Sequence, residues 1–147
     1  LAARAAITQA RHVAWFFPNW WGGPPALLKG FIDRSFSGGY AYRYEEGNPL
    51  PKRLLTGRSA RVVTTMDSPW WWYTAIYQRS LHAAFLNATL RFVGFKVHTT
   101  TLYSVRTQSP DTLRRAVDRM QAIGARDAKS AALPAPRNVP RLPASTR

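Results

Sequence analysis

Cysteine is absent from this 147-residue chain. That excludes disulfides and thiolate metal sites, and it is compatible with a cytoplasmic setting. Acidic residues are scarce, seven against 21 Lys and Arg. So few carboxylates leave paired-carboxylate hydrolysis and metal-dependent chemistry poorly supported, and no Ser-His-Asp or Walker-type pattern occurs. The three histidines, His12, His82 and His98, are scattered, so no metal site is expected. Apolar stretches are broken by Pro, Asn and Gly well short of the roughly 20 residues that span a bilayer, so no membrane span is expected. No internal repeat is visible.

What remains is a one-domain chain with 46% hydrophobic residues and six Trp, which argues for a packed core. The net charge of +14 raises the reading of a nucleic-acid binder. The basic residues, however, are spread along the whole chain, and no nucleic-acid module signature accompanies them. The charge therefore reads as solvated surface, with no specific nucleic-acid site, although it can attract the phosphates of a nucleotide.

Residues 1–11 are strong helix formers without a start signal and read as the tail of a helix whose beginning is absent. The apolar run 12–17 reads as a strand. It is followed by the loop Pro18-Asn19-Trp20-Trp21-Gly22-Gly23-Pro24-Pro25 and then by helical spacing at Leu27, Leu28, Phe31, Ile32 and Phe36. Residues 37–57 are irregular and marked by turn residues. A buried strand is expected at 59–65, one long helix from about Trp71 to Phe92, and a third strand at 96–103. Ser109-Pro110-Asp111 starts a last helix with an apolar stripe of Leu113, Val117, Met120 and Ile123. Strands alternating with helices imply α/β architecture with a parallel sheet. Ligands in such sheets bind at the carboxyl ends of the strands, which points to the Pro18–Pro25 loop. Its two indoles suit a flat aromatic ligand, while the bland alternative makes them core aromatics.

The wording of several blocks is more specific than the pattern. Pro18-x-Trp20-Trp21, Pro25-Ala26-Leu27-Leu28-Lys29-Gly30-Phe31-Ile32-Asp33-Arg34, Gly39-Tyr40-Ala41-Tyr42-Arg43-Tyr44 and Leu54-Leu55-x-Gly57-x-x-Ala60-Arg61-Val62-Val63-Thr64-Thr65 carry it. Together they resemble the flavin-dependent NAD(P)H:quinone oxidoreductases of flavodoxin-like fold, from about residue 5 to 124. The resemblance implies a three-layer α/β/α domain in which strands 3–5 are present and the first βαβ portion, with its phosphate-binding turn, is missing. We therefore expect a partial flavodoxin-like domain over residues 1–126 and a disordered basic Pro/Ala-rich tail over 127–147. The chain then reads as a fragment of a longer flavoprotein, with a natural short form as the alternative.

The resemblance also implies FMN or FAD as cofactor, NAD(P)H as cosubstrate, a quinone or similar planar acceptor, and a homodimer. One wall of the flavin ring falls to the backbone of Pro18, Asn19, Trp20, Trp21 and Gly22, the other to Thr64, Thr65, Met66 and Asp67. Many relatives have Thr-Thr-Gly-Gly at the second wall, so Met66 and Asp67 depart from the pattern, with strain and an unwelcome carboxylate as expected costs. Trp70 and Trp72 are expected either to line a slot for the planar acceptor or to cap the sheet as core. Tyr73 matches the family's catalytic Tyr, and His82 is the candidate His on that segment. Tyr40, Tyr42 and Tyr44 alternate on one extended face, and Tyr42 and Tyr44 either reach a partner's flavin or pack locally. The rival from another class is a flavodoxin-like binding or regulatory subunit without catalysis.

Overall fold

The computed structural model describes residues 2–131. In chain order, helix α1 (Ala2–Gln9) leads into strand β1 (His12–Pro18) and helix α2 (Ala26–Ser35). A two-residue antiparallel ladder follows, β2 (Tyr42–Arg43) with β3 (Lys52–Arg53), then strand β4 (Ser59–Thr65) and helix α3 (Trp70–Ala75). A π-helix over His82–Arg91 precedes strand β5 (Lys96–Leu102), a 3-10 turn at Val105–Thr107 and helix α4 (Pro110–Ala131).

The long strands form one parallel sheet in the order β1-β4-β5. Their register aligns Pro18, Thr65 and Leu102 in a row, so the three carboxyl ends form a single ledge. Alternation sends Trp15 and Phe17 of β1 and Ala60, Val62 and Thr64 of β4 to one face, where all five are buried. Phe85 of the π-helix meets Trp15 and Phe17 edge-on at 5.9 and 5.0 Å, and Phe31 of α2 meets Trp15 at 6.1 Å. Leu86 and Leu90 complete this core.

The opposite face carries His12, Phe16, Arg61 and His98, and α4 lies across it. Each oxygen of Asp127 on α4 accepts a hydrogen bond from the Arg61 guanidinium, at 2.7 and 2.8 Å. His12 Nε2 stands 3.7 Å from the same carboxylate, and His12 Nδ1 is 2.8 Å from Ser59 Oγ. No residue of α4 is fully buried: Leu113, Met120 and Ile123 are half-buried, and Val117 is exposed.

The structure corrects three expectations. The single helix from Trp71 to Phe92 is broken after Ala75. The Ser80 N–H bonds the Tyr77 carbonyl at 2.9 Å around Gln78 and Arg79, whose φ values are +48° and +54°. A left-handed pair of this kind reverses the chain and cannot occur inside a right-handed helix. Beyond it the backbone widens, with Phe95 N–H bonding Leu90 five residues back, and it stops at Gly94. There a side chain would press on the Thr56 backbone nitrogen at 2.9 Å. The second correction lies in the expected tail: residues 127–131 are helical and belong to α4, held by the Asp127 pairing. The remainder of that tail, 132–147, lies outside the described residues. Third, Tyr40 parts from Tyr42 and Tyr44, whose rings meet edge-on at 5.9 Å. Tyr40 is buried with its hydroxyl donating to the Arg4 carbonyl, whereas Tyr44 is exposed.

Among the described residues no helix is long and apolar enough to cross a membrane. None of their His, Asp or Glu side chains gather in threes to hold a metal ion.

Candidate active site

Three loops rise from the carboxyl ledge, one after each strand. The first is pinned at its base, where Asn19 N–H donates to the Thr65 carbonyl at 2.8 Å. Trp20 and Gly23 then exchange both backbone hydrogen bonds at 3.0 Å, closing a tight turn with Trp21 at φ +53° and Gly22 at φ +78°. The turn throws the Trp21 side chain wholly into solvent, and Trp20 is exposed as well. These indoles are not core aromatics. Ser80 buttresses the turn by donating to the Gly22 carbonyl at 3.0 Å. Its Oγ lies so close that a Cβ on Gly22 would stand 2.6 Å away, so only glycine fits beneath it. Trp21, Gly22, Tyr77 and Ser80 enclose a cavity of about 320 Å³.

Of the four N–H groups expected to face the ring, those of Asn19 and Trp20 are therefore spent inside the protein. Those of Trp21 and Gly22 have no partner among the described residues. Two buried oxygens at the same ledge are also unpartnered there, Asn19 Oδ1 and Thr64 Oγ1. A buried polar atom without a partner costs about 1–3 kcal/mol, and Thr64 carries that cost within the packed face of β4.

The second wall is built differently from the expectation. Met66 is buried, and its N–H continues the ladder to the Leu102 carbonyl at 2.9 Å. Neither Met66 nor Asp67 has positive φ, so the absence of glycine there strains nothing. The Asp67 carboxylate accepts the Arg106 N–H at 2.9 Å and so ties this loop to the loop after β5. Thr65 is half-buried at the end of β4.

Pro69 leads into α3, whose Trp70, Trp71 and Trp72 all stand exposed, with Trp71 and Trp72 edge-to-face at 5.6 Å. The alternative that made them core is thereby corrected. Tyr73, one residue on, points inward and is fully buried. Its hydroxyl lies 2.7 Å from His82 Nδ1 and accepts the His82 backbone N–H at 3.3 Å. The other ring nitrogen, Nε2, lies 3.4 Å from Thr101 Oγ1 on β5, so the imidazole bridges α3 and the sheet. Burial raises the Tyr73 pKa. Burial also lowers that of His82, with Arg79 and Arg91 adding to the effect. Both groups are thus held neutral. The spacing that left His82 unassigned in sequence is resolved by the turn at Gln78–Arg79, which folds it back onto Tyr73.

Tyr42 packs edge-on against Phe92 at 5.3 Å and Tyr44 at 5.9 Å, with Tyr44 outermost. Sequence reasoning missed Ser80, Thr101 and Arg106. A serine or threonine in a helical or strand context carries no signal of its own.

Comparison with known proteins agrees with this architecture. A family model described as flavodoxin-like fold matches residues 1–123. The chain belongs to that flavodoxin-like family. It is 32% identical over 91 residues to an uncharacterized NAD(P)H oxidoreductase of Haemophilus influenzae, a match covering 61% of this chain and 44% of that protein. The chain thus spans less than half the length of this curated relative. Among solved structures, Smu.1420 from Streptococcus mutans superposes with a TM-score of 0.75 at 31% identity, over 83% of this chain and 63% of that one. An NAD(P)H:quinone oxidoreductase from Methanothermobacter marburgensis does so with a TM-score of 0.62 at 28% identity, over 82% and 59%.

Proposed function

We propose that the chain forms part of a flavin-dependent NAD(P)H:quinone oxidoreductase, or one acting on a related aromatic acceptor, working in the cytoplasm as a homodimer. The observation that carries this reading is the turn at Trp21 and Gly22: two backbone N–H groups without a partner among the described residues, on a loop with exposed indoles at Trp20 and Trp21. These residues fit the polar edge and flat faces of an isoalloxazine ring. Bound FMN or FAD would supply two-electron transfer from NAD(P)H to the acceptor in ping-pong order. The chain's own part is to hold that ring edge through Trp21 and Gly22, and to exclude water with Trp20, Trp70 and Trp72 while a planar acceptor stacks. Tyr73 and His82 keep a proton between Oη and Nδ1. They act as positioning residues that anchor α3, and with it the three indoles, onto β5. Tyr44, exposed beyond Tyr42, is free to reach a partner subunit's site.

The reading is tested on the full-length protein: it predicts flavin absorbance after purification and NADPH-dependent reduction of menadione. A protein lacking both would overturn it. One observation favours a second reading, a non-catalytic flavodoxin-like binding subunit, because the Met66 N–H that the second wall would offer is taken by Leu102. Absence of binding at micromolar flavin by the full-length protein would favour that alternative.

A further inference from the structure

The turn that breaks the expected helix has a second consequence on its far side. Gln78, Arg79, His82, Asn87, Arg91 and Thr99 line an open pocket of about 320 Å³ beside β5. No acidic side chain lines it. Two guanidinium groups, Arg79 and Arg91, stand at its rim, exposed and without a carboxylate partner among the described residues. In a chain with so many cations, isolated exposed arginines are unremarkable, but here the setting is built. Arg91 is held in place by a hydrogen bond from its guanidinium to the Asn87 side-chain carbonyl, which leaves the Asn87 amide group as a further donor. Arg79 sits at φ +54° next to Gln78 at φ +48°. Left-handed backbone at non-glycine residues is strained, and such strain clusters at ligand clamps. Donors therefore outnumber acceptors around the cavity. The buried side chain of His82 also lines it.

We propose that this cavity is a binding site for a phosphate-type oxyanion, held by Arg79 and Arg91 with Gln78 and Asn87 as neutral donors. Planar guanidinium groups match the oxygens of a phosphate in pairs, and such charge-assisted bonds are about twice as strong as neutral ones. The site is separate from the Trp21–Gly22 corner and does not depend on the oxidoreductase reading. The phosphate belongs either to a nucleotide or to free inorganic phosphate. In both cases the anion lies next to the Tyr73–His82 pair and shields it from the two cations.

Titrating inorganic phosphate into the chain at constant ionic strength, while following the His82 ring resonances by NMR, tests the assignment. The expected result is a saturable shift of those resonances. Arg91→Gln weakens it about tenfold, the loss of one charged hydrogen bond, and Arg79→Asn weakens it similarly while tolerating the left-handed turn. Parallel titrations with 2′-AMP and 5′-AMP identify the source. A nucleotide binding tenfold tighter than phosphate assigns the site to that nucleotide's phosphate, and equal affinity assigns it to free phosphate. Resonances that ignore phosphate at matched ionic strength would overturn the proposal. So would binding that survives in the R79N/R91Q double variant with its Tyr73–His82 contact intact.

Discussion

The two faces of the central sheet are sealed by opposite means. On one, Trp15, Phe17, Val62, Phe85, Leu86 and Leu90 exclude water by apolar packing, with rings 5.0–6.1 Å apart. On the other, a 22-residue helix without a single fully buried residue combines half-buried Leu113, Met120 and Ile123 with the Arg61–Asp127 pairing, while Phe16 stays 68% exposed. The first face draws on the hydrophobic effect, which pH and salt hardly alter. The second draws on a charge pairing that both can dissolve. Docking of α4 is therefore a conditional property of the fold, and the aromatic face is its fixed part.

Substitutions separate the two. Phe85→Ala should cost about 3–5 kcal/mol, because the ring fills the junction between Trp15 and Phe17; urea unfolding would report a lower midpoint. Asp127→Asn should cost less, about 2 kcal/mol, by leaving the Arg61 guanidinium short of its partner. Its mark would be local, with faster amide exchange along α4 and little change in the aromatic core. Acid should then divide the faces further. The Arg61 hydrogen bond depresses the Asp127 pKa, so the clamp is intact above the ordinary carboxylate range, near 4, and is lost as pH falls through the depressed value. Burial lowers the pKa of His82 and His12, so the unfolded chain takes up protons first. Stability from that source declines once pH drops below about 6.5. Thermal unfolding at stepped pH should show both phases, and D127N should lack the lower one.

Ser80→Ala removes one hydrogen bond beneath Gly22 and should cost about 1 kcal/mol. It should also loosen the Trp20–Gly23 turn, read as a change in tryptophan fluorescence. Smallest of all, Lys29→Ala breaks an exposed pair with Asp33 on α2 and should cost no more than about 0.5 kcal/mol. An effect as large as that of Asp127→Asn would mean that exposure does not distinguish the two pairings.

What could be read from the chain beforehand followed the same division. The strands at 12–17, 59–65 and 96–103 and the helices at Ala26 and Pro110 announce themselves through apolar periodicity and proline, and all five formed. The break at Gln78–Arg79 could not be read, because left-handed turns ordinarily advertise themselves with Gly or Asn, and Gln and Arg carry no such mark. With it went the pairing of Tyr73 and His82, which depends on that reversal. Asp127 was lost differently. It lies past Ile123, the last large apolar residue of its helix, where the stripe no longer speaks, and its partner Arg61 is 66 positions away. Of the candidate site, the Trp20–Gly22 loop was legible because its residue types are unusual. The commitment of the Asn19, Trp20 and Met66 amides was not, since backbone hydrogen bonds leave no trace in side-chain identity.

Among the described residues β4 is the only long strand paired along both edges, with β1 on one side and β5 on the other. The amides at its centre, Val62 and Val63, point to opposite neighbours, and both residues are buried, so each is released only when the strand it bonds leaves the sheet. Their exchange rates should therefore track global opening, and those of β1 and β5 local fraying. Two amide positions in the middle of this chain would then report its stability without any denaturant.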